Sequence, residues 1–384
     1  MMSKLTFSDY GQIHSFNYNP AVNKLYQPFS ENDIKQISNI ISNSKKLTLS
    51  GGSHTFNGSS LPSDGAYHID FSRFRWLKFI DSTTIEVASG VTVWDLRDYL
   101  AKSGLDLKVW NGGAAGPTVG GYIMAGGFGR SGLSEQDGGF WEIVKYLRVC
   151  IPATGEILRI DRDHKLFKWL FGSAGTLAIV LSAGINVLPG NSLLTQELST
   201  KSVPYFQNIV YNRHRFPTLF SYMPLLKQES EFILQDSKLF WFSILAYPEE
   251  HASSLLILSK FCNEFSDFMS PIGGWLDLPD NALISPAYHY IIEHKTFIPP
   301  LLMNQNRTFF VNGIMAYLPN KDKNDHNMVR KVSTYFTNLV LGSGLRLYHQ
   351  AEDFFSLIDF NSYYDETTWQ EYQDLKNNLD PNSK

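Results

Sequence analysis

Three stretches in the first half of this chain concentrate glycine with small polar residues: Gly51–Gly58 (GGSHTFNG), Gly112–Gly129, and Gly172–Gly175 (GSAG). Glycine permits positive φ, and main-chain amides exposed in such a bend form a concave anion site. A diphosphate can be held that way with neither Lys nor Arg. One bend alone reads equally well as plain turn geometry; three in succession read as a set. His54, inside the first bend, is in isolation an ordinary solvated turn residue. None of the bends is a GxGxxG between strand and helix with an acidic residue about 20 positions on, which argues against a Rossmann dinucleotide site. No GxxxxGK[ST] occurs, so an NTPase is disfavoured.

Composition narrows the class further. Hydrophobic residues make up 43% and charged residues 18% of 384, the proportions of a globular chain long enough for two or three domains. Aromatics reach 14%, enough for a large core and an aromatic-lined cavity. A net charge of -4 leaves no electrostatic footprint for nucleic acid. The two cysteines, Cys150 and Cys262, have apolar neighbours and read as small buried residues in a reducing compartment. No metal-ligand pattern is expected. The first residues lack the apolar core of a signal peptide, and the longest apolar run, Thr176–Pro189, is too short to span a bilayer. A cytoplasmic protein without a transmembrane segment is expected.

The elements that must position the bends can be read from pattern. Ser30 and Asp33 resemble a capping box before a helix with Ile34, Ile37 and Ile41 on one face. A strand, Lys46–Ser50, runs directly into the first bend. A second, Thr84–Gly90, precedes a helix with Thr92 at its N-cap and Asp95 at N3, carrying Leu96, Tyr99 and Leu100 and closed by Gly104. After the second bend a hairpin is expected, YLRVCIP and ILRI around ATGE. Beyond Gly190 glycine thins out. Lys238–Tyr247 and Arg307–Leu318 read as strands, Glu249–Phe265 and His326–Leu341 as helices, and ETTWQEYQDLKNN as a charged last helix.

In this order the motifs resemble the vanillyl-alcohol oxidase / p-cresol methylhydroxylase (PCMH-type) family of FAD-binding oxidoreductases. LYQPFSENDIKQI is similar to its opening segment, LSGGSHTFNG to its first pyrophosphate loop, PTVGGYIMAGGFGRSG to its second, and FGSAGTLAIVLSAGINVLP to its closing loop and strand. IDFSRFRWLKFIDSTTIEVASGVTVWDLRDYLAKSGL resembles its strand–strand–helix stretch, and WQEYQDLKNNLDPN its last helix. GxSHTFN is nearest to alditol and aldonolactone oxidases; TVGG…GRSGLSEQDG leans towards cytokinin-dehydrogenase-like members. The resemblance implies an α+β protein: an N-terminal segment (1–19), a two-part FAD-binding domain (20–190), an α+β substrate or cap domain (191–345), and a C-terminal return to the FAD domain (346–384).

Residue by residue, the resemblance makes Gly51, Gly52, Ser53, His54, Thr55 and Asn57 the first wall of the FAD site. Thr118, Gly120, Gly121, Gly126 and Ser131 form the second, and Gly175, Thr176 and Ile179 the third. His54 aligns with the histidine that many members join covalently to the flavin 8α-methyl, a reaction within reach of a nucleophilic imidazole. Ser53 stands where the family commonly has Gly; if φ is positive there, the strain is roughly 1–3 kcal/mol. A second covalent link would use a cysteine at position 116, which is Gly116, so a single link is expected.

Hydride abstraction from a CH–OH or CH–NH carbon onto flavin N5 also needs a proton acceptor. Candidates are Tyr348 and His349, with Glu352 and Asp353 beside them, and Tyr288, His289 and His294, although such residues are common on any cap surface. The aspartate that cytokinin-type members carry ahead of TVGG is absent, which argues against cytokinin oxidation. Phe240, Trp241, Phe242, Trp275, Phe309 and Phe310 supply core and, in part, the wall of an apolar substrate pocket.

The expected activity is oxidation of a small molecule (an alcohol, polyol, lactone or amine carbon), with oxygen or another electron acceptor. A flavin dehydrogenase, or the oxidising half of an epimerase in a biosynthetic pathway, keeps the same fold. A non-catalytic binding module whose glycines serve only as turns is the alternative from another class.

Overall fold

The computed structural model describes residues 18–55, 57–110, 116–131, 137–190, 237–258, 260, 286–292, 296–319, 323–348 and 363–382. Strands β1 (Lys24–Tyr26), β2 (Leu47–Ser50) and β3 (Tyr67–Asp70) form a small parallel sheet in the order β1-β3-β2. Helix α1 (Ile34–Asn43) makes the crossover between β1 and β2. A 3-10 turn, Glu31–Asp33, opens it, and the Ser30 amide donates to the Asp33 carboxylate at 2.7 Å, which completes the capping box. Ile34, Ile37 and Ile41, at helical spacing, are all buried. Each is worth about 1.5–3 kcal/mol when fully removed from water.

Strands β4 (Leu77–Asp81) and β5 (Thr84–Ala88) join β10 (Val144–Cys150), β11 (Ile157–Asp161) and β12 (Ile179–Asn186) in an antiparallel sheet of order β11-β10-β12-β5-β4. The pair β10–β11 is the hairpin expected around ATGE, with Cys150 opposite Ile157. This sheet is fully buried along β5 and nearly so along β12, so the turn that follows β5 rests on a rigid frame.

Helix α2 (Val93–Ala101) starts at Thr92, whose Oγ1 accepts from the Asp95 amide at 3.0 Å. The buried face of α2 differs from the simple apolar reading. Tyr99 is 39% exposed, whereas Arg97 is only 4% exposed. The reason is a partner waiting inside: Arg97 makes a two-point pair with Asp106, at 2.8 and 2.7 Å, and its guanidinium lies 3.6 Å from the Trp110 ring. Asp106 lies on β6 (Leu105–Asp106) and Trp110 on β7 (Val109–Trp110), so this pair anchors α2 to the strand that leads into the second glycine bend.

The remaining strands are β8 (Phe128–Ser131), β9 (Asp137–Gly139), β13 (Leu188–Pro189), β14 (Ser237–Ala246), β15 (Pro286–Ile292), β16 (Phe309–Pro319) and β17 (Arg346–Leu347). A seven-stranded sheet runs in the order β17-β14-β16-β15-β9-β8-β7. It crosses the change of texture near residue 190: strands from either side of it meet where Ile292 pairs with Asp137. A continuous apolar core likewise draws on both sides, from Ile37 and Phe171 to Leu301, Phe309 and Tyr348. The last helix, Glu366–Leu379, is capped by Asp365 and reaches the β10–β11 turn, where the Ala153 amide donates to Leu379 O at 3.1 Å. Among the described residues no helix is long and apolar enough to cross a membrane, and no group of side chains could hold a metal ion.

Removing one partner of a buried ion pair strands the other charge. Asp106→Ala is therefore expected to lower unfolding free energy by about 3–5 kcal/mol, read as a shift in urea midpoint at unchanged slope. A loss under about 1 kcal/mol would mean that the pair is solvated.

Candidate functional site

The first bend leaves β2 at Ser50. His68, which faces Thr48 across the β2–β3 pair, sets that exit: its Nδ1 lies 2.8 Å from Thr48 Oγ1 and its Nε2 2.9 Å from Ser50 Oγ. Burial lowers the pKa of His68, so the ring is held uncharged between two hydroxyls. The second bend docks on the turn after β5. Val119 N donates to Val91 O at 2.7 Å, Gly120 N to Ser89 O at 2.9 Å, and Val93 N to Pro117 O at 3.0 Å. Thr92 and Thr118 pair as an antiparallel bridge, and each caps a helix. Thr118 Oγ1 takes the Gly121 amide at 3.3 Å and opens α3 (Val119–Met124).

These two bends meet without room for a side chain. A β-carbon on Gly52 would lie 2.0 Å from the carbonyl oxygen of Gly116, and one on Gly116 would lie 2.1 Å from His54 Cδ2. Gly51 faces Thr118 Oγ1 in the same way, at 2.4 Å. The third bend closes on both. The Ala174 amide donates to Met124 O at 2.8 Å, and a β-carbon on Gly175 would lie 3.2 Å from Met124 Sδ and 3.4 Å from Leu49 Cδ1. Three bends far apart in sequence thus converge at one place, between the end of β2 and the end of α3.

Backbone strain falls on the same place. Among the described residues only two non-glycines have positive φ, Ser53 at 52° and Ala174 at 51°. One sits in the first bend and the other in the third. The glycine expected at position 53 is absent, and the left-handed conformation is present nonetheless. Such outliers persist where the surroundings over-determine them, and they gather at ligand sites.

Amide accounting separates the bends. Val119, Gly120, Gly121, Gly126, Gly172, Ala174 and Thr176 all donate within the protein. The amides of Gly52, Ser53, Thr55 and Gly175 donate to no acceptor among the described residues. Open donors therefore gather mainly on the first bend. His54 packs on Gly116, and burial lowers its pKa to about 4, so its imidazole is uncharged near neutral pH.

The other expected residues are placed as follows. Thr55 Oγ1 lies 2.8 Å from Ser60 Oγ, and Asn57 Oδ1 accepts from the Ser59 amide at 3.0 Å; both brace the first bend. Gly126, at φ 67°, lies under Leu302, which also covers Gly172. Ser131 ends β8. Ile179 is a core residue at the start of β12, opposite Cys150. The hydroxyl and carbonyl of Thr176 are both engaged, with Ser173, Tyr372 and Lys376.

Tyr348 is buried against Phe128, ring centroids 4.7 Å apart, and burial raises its pKa, so the phenol keeps its proton. Phe309 is buried and Phe310 stacks on His251. Tyr288 pairs with Gly313 and His289 with Asn312 along the β15–β16 ladder. His349, Glu352, Asp353, His294, Trp275 and Cys262 lie outside the described residues. Sequence reasoning missed His68, Leu302, Tyr372 and Lys376. No local motif marks them, because each acts on a bend through a partner distant in the chain.

Comparison with known proteins covers part of the same span of the chain. A model of the FAD binding domain family matches residues 23–161, a span that contains the first two bends. No curated protein matches the chain. The chain therefore carries an FAD-binding domain, and FAD is its cofactor. Proteins with this domain are generally FAD-dependent oxidoreductases.

Ser53→Gly should relieve the left-handed strain and raise unfolding free energy by about 1 kcal/mol, measured by denaturant titration of the apoprotein. An unchanged or lowered midpoint would show that the Ser53 side chain stabilises the bend by more than the strain costs.

Proposed function

We propose that the protein is an FAD-dependent oxidoreductase that oxidises a CH–OH carbon (alcohol, polyol or lactone) or a CH–NH carbon of a small molecule and passes the electrons to oxygen or another acceptor. The observation that carries this reading is the convergence of the three bends, with Ser53 and Ala174 both held at positive φ where they meet. Residues 20–190 and the return 346–384 would house the cofactor, and 191–345 would form the substrate part.

The residues present suit a dinucleotide. Open amides at Gly52, Ser53 and Thr55 can hold a diphosphate without a cation. Gly52 and Gly116 lack the β-carbons that would collide with the Gly116 carbonyl and the His54 ring, so the first two bends can approach closely. When bound, the isoalloxazine supplies the hydride-accepting chemistry, and the protein supplies orientation and electrostatics.

His54 is the group proposed to join the flavin. Its ring is kept uncharged by burial, and the neutral imidazole is the nucleophilic form. Gly116 presses on that ring, so a side chain at 116 would displace it, which fits a single link. His68 holds Ser50 and with it the exit of the first bend; Thr118 holds α3 beneath the second. Tyr348, protonated in its buried setting, serves as a hydrogen-bond donor more readily than as a base. The proton acceptor is therefore sought at His349 and its neighbours.

Acid precipitation of purified protein should leave a yellow pellet. In His54→Ala the colour should pass to the supernatant while the protein still binds FAD. Colour released from the parental chain would sink the covalent link, and a chain that neither carries nor takes up FAD would sink the whole reading.

A further inference from the structure

The third bend is held shut by a helix from the other end of the chain. Thr176 uses its amide and its hydroxyl on the same acceptor, Ser173 O, at 2.9 and 2.6 Å. Having donated its only proton, that hydroxyl accepts from Tyr372 OH, 2.8 Å away. The Thr176 carbonyl accepts from Lys376 Nζ at 2.9 Å, and Lys376 is also paired with Asp380. Every polar group of Thr176 is thus committed to closing the turn that contains the strained Ala174. A charged donor on a carbonyl is among the stronger hydrogen bonds available.

The segment just ahead of that helix reaches a second point of the cradle. Tyr364 OH donates to Leu301 O at 2.9 Å, and the next residue, Leu302, covers both Gly126 and Gly172. Tyr364, Trp369 and Tyr372 form a stacked series, with centroids 5.8 and 5.3 Å apart and planes 2° and 24° from parallel. The stack ties the two attachment points into one rigid body.

We infer that the C-terminal helix is the clasp of the flavin site, with Tyr372 and Lys376 acting as positioning residues that hold the third bend in place through Thr176. This rests on the reading of the three bends as the FAD cradle. Neither residue is assigned a contact with the cofactor. Their role is to keep Ala174 and Gly175 seated on Met124 and Leu49, so that loosening them opens one wall of the cradle and leaves the core intact.

The test heats the flavin-loaded protein while two signals are followed: flavin fluorescence, which rises when the isoalloxazine reaches water, and tryptophan fluorescence, which reports unfolding. Both readouts work whether or not the flavin is covalently attached. In the parental protein the two transitions should coincide. In Lys376→Met and in Tyr372→Phe, flavin exposure should precede unfolding by roughly 5 °C or more, and Lys376→Arg should close most of the gap. Tyr372→Phe removes a single oxygen and keeps the stacked ring, so it remains informative if the lysine variant fails to fold. Transitions that move together, or do not move, would overturn the clasp and leave the helix a packing element. A parental chain that holds no flavin would instead overturn the cradle reading beneath it.

Discussion

The carbonyl oxygen of Gly116 occupies the space where residue 52 would carry a β-carbon, and much of the site follows from that contact. Two backbones this close cannot slide past one another. The contact also fixes what lies on the far side of Gly116: the His54 ring rests where a side chain at 116 would be. Close packing without side chains leaves the main chain as the recognition surface, which suits a ligand that is bound by charge and shape.

Rigidity is supplied from beneath. The parallel sheet delivers the first bend at the end of β2, and the segment after the buried β5 presents three docking points for the second, at Ser89, Val91 and Val93. In the second bend the amides of Val119 and Gly120 are consumed in that docking and those of Gly121 and Gly126 within the bend itself; in the third, those of Gly172 and Ala174 are consumed on α3. This divides the work. The second and third bends serve mainly as scaffold, and the first offers most of the open donors among the described residues. Both histidines beside it, His54 and His68, are kept uncharged by burial, so the bend itself contributes no fixed positive charge and attraction for an anion must come from oriented amides.

One sheet draws strands from both halves of the chain across residue 190. β9 belongs to the glycine-rich half and β15 to the later half, and they pair through Ile292 and Asp137. Arg162 reinforces the joint. It donates to the carbonyls of Trp141 and Val144 at 2.8 and 2.6 Å and to Thr296 Oγ1 at 3.0 Å. The later half is thus fastened to the glycine-rich half through main-chain pairing and a guanidinium bridge.

Local features were legible from residue type and spacing. The Ser30–Asp33 box, the Thr92 cap, the isoleucine face of α1, the β10–β11 hairpin and the glycine bends all depend on groups within a few positions of one another, where sequence distance and spatial distance agree. The family match over residues 23–161 falls on this legible part. What tertiary structure alone decided involves partners far apart in the chain. Arg97 turned inward because Asp106 and Trp110 were placed to receive it. The possible strain at Ser53 became real because the path between β2 and Gly116 demands positive φ. Thr176, legible as a turn residue, became the seat of a contact from Tyr372 and Lys376 because the last helix folds back across the β10–β11 turn. Periodicity and turn chemistry record what a residue prefers beside its neighbours; which distant group it meets is settled only when the sheets and helices pack.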